Sequence, residues 1–372
     1  QVRQAKKDFV LINGGELGTT CARVGCMPSK ALIQVAHDLH RREIFEREGI
    51  EGGADLTVNL PDALEHVRDL RDILVDRVLA NSTDQMDETF IDGYARFVDP
   101  GVLQVGQEII HAKSIVIASG TRPLVPDEWV DFGEHIITSD TLFEIEDLPK
   151  SIAVVGLGII GLEIGQALSH LGVTVTGVDQ LETIAGLNDP SASQSAIELM
   201  TRTFPVWLGH QAKLASEGSQ IRVSAGEHSV VVDKVLAAMG RRSNVDWLSI
   251  ENAGVDLNEA GLPVFDPNTM QCGDSRVFIA GDITASHPAL HEATNEGKIA
   301  GYNAARQNSM AFKRKTPFAI TFTSPNICTI GASFKSLDPG TIEIGEMRLG
   351  PVGRALIMGV NRGIIRVYAD KS

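Results

Sequence analysis

One stretch limits the folds open to this 372-residue chain more than any other: the apolar run Ile152-Ala153-Val154-Val155 leads into Gly156-Leu157-Gly158-Ile159-Ile160-Gly161. That order reads as strand, glycine turn, helix. The first glycine permits the tight turn, the second lets backbone approach a pyrophosphate, and the third lets the helix pack on the strand. The helix N-terminus then turns its N–H donors toward phosphate. The helix is expected to run to about His170, and a new strand over 173–178 ends in Asp179. An acidic residue about 20 positions beyond such glycines accepts the ribose hydroxyls, and its charge repels a 2′-phosphate. The pattern points to NAD rather than NADP; the plainer alternative is a glycine turn made for packing alone.

A second stretch carries chemistry. Cys21 and Cys26 flank Ala22-Arg23-Val24-Gly25 and are followed at once by Met27-Pro28-Ser29-Lys30. Positions i and i+5 of a regular helix lie about 140° apart, so the sulfurs could meet only across a turned segment, which Gly25 allows. Pro28 suits the first turn of a helix continuing over 31–48, which would place Cys26 at the positive end that favours a thiolate. A redox-active disulfide is the leading reading. A structural disulfide, half of a zinc site or two unrelated buried thiols are the others. Cys272 and Cys328 are isolated and lack the paired spacing of a zinc site, so no metal is expected.

Composition sets the context. Hydrophobic residues at 43% and charged residues at 22% describe a globular chain long enough for two or three domains. No apolar run approaches the roughly 20 residues of a membrane span, and no signal peptide is visible, so a cytoplasmic enzyme is the expectation. The net charge of −15 argues against nucleic-acid binding, which needs a basic footprint. In a reducing compartment a disulfide would be catalytic rather than a staple. Three more apolar runs end in small or polar residues: 114–117 before Ala118-Ser119-Gly120, 235–239 before Gly240-Arg241-Arg242, and 277–280 before Gly281-Asp282. The last places a carboxylate just past a strand's carboxyl end, where open α/β sheets bind ligands.

GTTCARVGCMPSK at 18–30, ASG at 118–120, GLGIIGLEIG at 156–165, GRRSN at 240–244 and GD at 281–282 occur in one order. Over nearly the whole chain this resembles the flavin-containing class I pyridine nucleotide-disulfide oxidoreductases, most like the dihydrolipoyl dehydrogenases. The resemblance implies that Cys21 is the interchange thiol and Cys26 the flavin-facing thiol, with Lys30 near the flavin and paired with Glu163. It assigns Gly14, Gly15, Thr19 and Thr20 to the adenosine diphosphate part of FAD, and Gly281 and Asp282 to its ribitol or pyrophosphate side. Ala118, Ser119, Gly120, Gly240 and Arg241 also fall to cofactor binding. Leu290 to Ala293 would begin a helix facing the flavin pyrimidine edge. Gly156, Gly158, Ile159, Ile160, Gly161 and Asp179 fall to NAD, and the glycines at 161 and 165 resemble NAD-using members. A small dithiol or a lipoyl domain would reduce the Cys21–Cys26 disulfide, and electrons would pass through FAD to NAD.

The implied fold is α/β: two doubly wound Rossmann-like domains plus part of an α+β dimerisation domain. Residues 1–149 would begin the FAD domain, with a helical excursion over about 61–82. Residues 150–270 would form the NAD domain, 271–315 would return to the FAD domain, and 316–372 would open the dimerisation domain of a homodimer. The sequence opens like the tail of the first FAD helix, followed by a strand over 9–12, without the family's first strand and GxGxxG. It also lacks the family's His-Pro and glutamate base motif. Asn13 stands where relatives usually place a glutamate, and Ser243 where they often have proline. His287 and His291 read as loop or helix-cap residues, and His37 and His40 as solvated or packed. Glutathione reductase would want cations near Asp179, mercuric reductase a further cysteine pair, and a transhydrogenase no cysteine pair. A non-catalytic binding protein is the reading from a different class.

Overall fold

The apolar run of the glycine motif forms the strand Ser151–Val155 in the computed structural model, which describes residues 1–286 and 288–371. It is the middle strand of a five-stranded parallel sheet. Thr174–Val178 lies on one side with Val206–Trp207 beyond it, and Lys234–Ala237 lies on the other with Ile136–Thr138 beyond. The next strand in sequence therefore adds on one side and a later one on the other. This makes the carboxyl end of Ser151–Val155 the switch point where α/β sheets bind ligands. Both faces of the strand are covered, which is why it reads as continuous apolar sequence rather than as alternation.

Contacts group the chain into two compact units, and this sheet belongs to the unit made of Val24–Asp72, Pro123–Gly240 and Pro317–Ser372. On one side of the sheet Leu162 and Leu168 of the helix Ile159–His170 meet Leu32, Ile33 and Ala36 of the helix Cys26–His40. Full burial of each of the leucine and isoleucine side chains contributes about 1.5–3 kcal/mol. On the other side Val223 and Val232, from a three-stranded antiparallel sheet, pack with Val155, Val178 and Val235.

The expected helix over 31–48 is regular only to His40. Beyond it the chain tightens into Arg42–Phe45 and a 3₁₀ turn, Glu46–Glu48, which Gly49 ends at φ +75°. Backbone bonds such as Ile44 N–H to Arg41 O replace the α-helical spacing there. The excursion over 61–82 is the helix Leu60–Ala80.

The other unit comprises Gln1–Arg23, Ile73–Arg122 and Arg241–Thr316. In it Leu11–Asn13 pairs parallel with Phe90–Asp92, and Ile115–Ile117 with Val277–Ile279. The core gathers Phe97, Leu103, Ile115, Ile117, Val277, Ile279 and Ile283 around Cys272. Burial pushes the Cys272 thiol up to about 12, so it is a packed hydrophobe and not a nucleophile.

Candidate functional site

The three glycines of the dinucleotide motif meet different surroundings. Gly156 has φ +96°, and a Cβ there would fall 2.4 Å from Ala238 O; one on Gly161 would fall 1.9 Å from Gly156 O. Those two positions exclude any side chain for reasons of packing. A Cβ on Gly158 would meet nothing within 4 Å, so this position is open on the side a ligand would approach. Gly158 is also the N-cap of the helix Ile159–His170, and no side chain among the described residues caps it. The first N–H groups of that helix, at Ile159, Ile160 and Gly161, are thus left for an outside acceptor, as a pyrophosphate cradle requires.

Asp179 sits where the spacing places it, buried at the end of Thr174–Val178. Its Oδ2 accepts from Leu157 N–H at 2.6 Å and its Oδ1 from Leu181 N–H at 2.9 Å. The carboxylate therefore ties the glycine turn to the turn that follows its own strand. Each oxygen keeps a second lone pair, which is what ribose hydroxyls need. Gln180, Leu181 and Glu182 follow it, all exposed and none cationic.

Cys26 is the first residue of the helix Cys26–His40, with Gly25 as the N-cap and no side-chain cap among the described residues. Pro28 lies in the first turn, and Ser29 Oγ donates to Cys26 O at 3.1 Å. Cys26 is half-buried at the positive end of the helix. Cys21 is half-buried within the short helix Thr20–Arg23, where Thr19 Oγ1 accepts Ala22 N–H.

One turn further along, Lys30 Nζ meets Glu163 Oε2 at 2.7 Å, joining the cysteine helix to the glycine-motif helix. Glu163 is 4% exposed, and so buried a carboxylate needs a partner. Its Oε1 accepts Phe322 N–H at 2.9 Å, and the Phe322 ring covers Lys30 Nζ at 4.6 Å from the ring centroid. Three residues on, buried Gln166 accepts Ser324 N–H at 2.6 Å and donates to Ser324 O at 3.3 Å. Sequence reading singled out neither Gln166 nor Phe322. The one available signal was the i, i+3 spacing of two polar residues in a helix that is otherwise apolar until Ser169 and His170 at its end.

In the other unit Gly14 lies against the Tyr94 ring, where a Cβ would come within 2.5 Å, and Gly15 has φ +98°. Asn13 Nδ2 donates to Gly15 O at 3.0 Å, so the amide shapes this loop and keeps its Oδ1 for a ligand donor. Asn244 joins two of the sequence motifs, donating through Nδ2 to Ser119 O at 2.9 Å and through its backbone N–H to Gly120 O at 3.1 Å. Gly120 has φ +65° and open space where a Cβ would stand, next to Ala118 at the end of Ile115–Ile117. Arg241 Nε donates to Thr121 Oγ1 at 2.9 Å.

Gly281, at φ +83°, gives its N–H to buried Glu296 at 2.8 Å, and Arg314 clamps Glu292 and Glu296 at 2.7 and 2.9 Å. Asp282 follows, and its carboxylate accepts no hydrogen bond from the described residues. Burial raises its pKa, against a lowering by Arg241. A desolvated acceptor of this kind fits the hydroxyls of a ribitol chain. Leu290 and Ala293 open the helix Leu290–Ala304, as expected.

Among the described histidines, His291 approaches one of these clusters, with Nε2 at 3.9 Å from Glu292 Oε1. His37 and His40 are packed: His40 stacks on His170 at 3.7 Å, and burial lowers His170 to about 3. His291 lies in the first turn of Leu290–Ala304, and His287 lies outside the described residues.

The sequence profile described as pyridine nucleotide-disulphide oxidoreductase matches residues 1–307. A dihydrolipoyl dehydrogenase of Thermus scotoductus is 28% identical over 375 residues, spanning 96% of this chain and 79% of the relative. A mercuric reductase of Lysinibacillus sphaericus is also 28% identical, over 97% of this chain and 67% of its own length. Among solved structures, the HOCl-induced flavoprotein disulfide reductase RclA of Escherichia coli shares the fold, with TM-score 0.83, 20% identity, and coverage of 99% of this chain and 83% of that one.

Proposed function

The chain belongs to the pyridine nucleotide-disulphide oxidoreductase family, and on that premise we propose that it is a dihydrolipoyl dehydrogenase-like enzyme, acting as a homodimer in the cytoplasm on a small dithiol or a lipoyl domain. FAD and NAD are the cofactors of this family reading. We assign residues 1–149 and 271–315 chiefly to FAD binding, 150–270 chiefly to NAD binding and 316–372 to dimerisation, with Ile136–Thr138 completing the dinucleotide sheet and 241–270 grouping by contacts with the first FAD segment. Gly14, Gly15, Thr19, Thr20, Ala118, Ser119, Gly120, Arg241, Gly281, Asp282 and the start of the helix at Leu290 and Ala293 would hold FAD. Gly156, Gly158, Ile159, Ile160, Gly161, Asp179 and Gly240 would hold NAD.

The observation that carries the reading is the 2.7 Å Lys30–Glu163 pair. It sets a fixed positive charge one turn from Cys26, braced by the same helix that presents the dinucleotide turn. In this proposal Cys21 exchanges with the substrate sulfur, releasing Cys26 as a thiolate that the helix N-terminus stabilises. Lys30 holds positive charge near that thiolate, and Glu163 keeps Lys30 in place. FAD, when bound, supplies two-electron transfer between the thiol side and the nicotinamide.

The mercuric reductase relative, equally identical, supports a second reading in which Hg(II) is the substrate. A panel separates the two. NAD reduction driven by dihydrolipoamide supports the first reading, whereas NAD(P)H oxidation driven by Hg(II) alone overturns it in favour of the second.

A further inference from the structure

The residue that touches both halves of the Lys30–Glu163 pair is Phe322, which sequence motifs did not single out. Glu163 Oε1 takes its backbone N–H at 2.9 Å, and its ring covers the Lys30 ammonium at 4.6 Å from the centroid. Thr321 and Thr323 on either side are each 2% exposed, whereas Phe322 is 37% exposed. The strand Phe318–Thr321 ends just before it, and Thr323 N–H bonds Thr321 O at 2.9 Å, so Phe322 is the apex of a three-residue turn whose ring stands outside the core that takes its neighbours. Core filling therefore does not account for where the ring lies.

Its backbone is held independently of the ring, because Gln166 grips Ser324 through both N–H and C=O. Two buried side chains, three positions apart on one helix face, thus set the height of residue 322 above Lys30. The ammonium has one hydrogen bond to Glu163 at 2.7 Å and a long one to Ser29 Oγ at 3.5 Å. An aromatic face over its remaining side replaces mobile water with a fixed negative quadrupole.

We propose that Phe322 is a positioning residue for Lys30, fixing the direction of the ammonium by pairing it with a ring as well as a carboxylate. The proposal deepens the reading above, in which Lys30 holds positive charge near the Cys26 thiolate. The ring removes alternative lysine rotamers and shields the amine, so the charge stays at one point during turnover.

The test uses the full-length chain with its bound flavin, as wild type, Phe322→Leu and Phe322→Tyr. Lys30 is acylated with an N-hydroxysuccinimide ester, its rate is read from the modified peptide by mass, and thermal unfolding and the visible spectrum are recorded alongside. Phe322→Leu keeps an apolar side chain but loses the ring face, so labelling of Lys30 should rise about three- to fivefold with little change in melting temperature. Phe322→Tyr should restore the wild-type rate. Labelling of Lys30 at the wild-type rate in Phe322→Leu, with flavin retained, would overturn the role of Phe322 and leave the enzymatic reading standing. Equal acceleration in Phe322→Leu and Phe322→Tyr would also overturn it. A wild-type protein that binds no flavin would overturn the enzymatic reading and this proposal with it.

Discussion

Replacing Asp179 tests how a Rossmann carboxylate divides its work between ligand and scaffold. If it served only ribose, Asp179→Ala would weaken dinucleotide binding and leave the fold untouched. Here both oxygens already accept backbone N–H groups, at 2.6 Å from Leu157 and 2.9 Å from Leu181, in a residue 9% exposed. Hydrogen bonds to a charged group contribute about 1.5–3 kcal/mol each, and truncation leaves the donors desolvated and unpaired. Allowing for water entering at Leu181, Asp179→Ala should cost about 3–5 kcal/mol. At about 2–4 °C per kcal/mol for a unit of this size, the melting temperature falls by roughly 10 °C. Because the lost bond at Leu157 releases the glycine turn, NADH and NADPH should both bind more weakly. Asp179→Asn keeps one acceptor for Leu157 and removes the charge; it should melt only a few degrees lower and narrow the preference for NADH over NADPH. The assay is thermal unfolding paired with titration of both dinucleotides. An unchanged melting temperature in Asp179→Ala would refute the scaffold role; an unchanged NADH-to-NADPH ratio in Asp179→Asn would refute the ribose role.

The glycines offer a matched pair. Gly161→Ala places a Cβ 1.9 Å from Gly156 O and should destabilise the protein by more than about 3 kcal/mol, whereas Gly158→Ala meets open space and should leave melting unchanged while lowering NADH affinity at least about tenfold. Partial reduction should produce a long-wavelength charge-transfer absorbance that Cys26→Ser abolishes; survival of the band would place the flavin-facing thiol elsewhere. His170 is lowered from 6.5 to about 3 by burial, then by His40 and His37. The unfolded chain therefore binds the extra proton between these values, and stability should fall as pH drops from about 6.5 toward 3. Discounted for partial exposure, the loss by pH 4.5 is about 1–2 kcal/mol in urea unfolding, and His170→Phe should flatten that slope.

Local patterns decided much of this protein. The glycine spacing at 156–161 specifies a strand, a turn and a helix because the turn brings the Gly156 carbonyl against Gly161 and needs a positive φ at Gly156, whereas the distant Ala238 that also excludes a side chain at Gly156 is not written in the motif. Pro28 and Gly25 likewise mark the helix start at Cys26, and the short apolar runs before 118, 240 and 281 become parallel strands, buried but for Val116. The pairing of Lys30 with Glu163 was legible only through family resemblance, since 133 positions separate them and neither carries a mark of the other. What lay beyond sequence were contacts whose partner is a backbone group or a face. Asp179 looks the same in a string of letters whether its oxygens take ribose hydroxyls or the N–H of Leu157. The Phe322 ring over Lys30, the Gln166 grip on Ser324 and the His40–His170 stack depend on which sides of distant elements come together. Spacing along the chain encodes what neighbours exclude; only the packed structure decides which lone pair, ring face or charge is left to meet another.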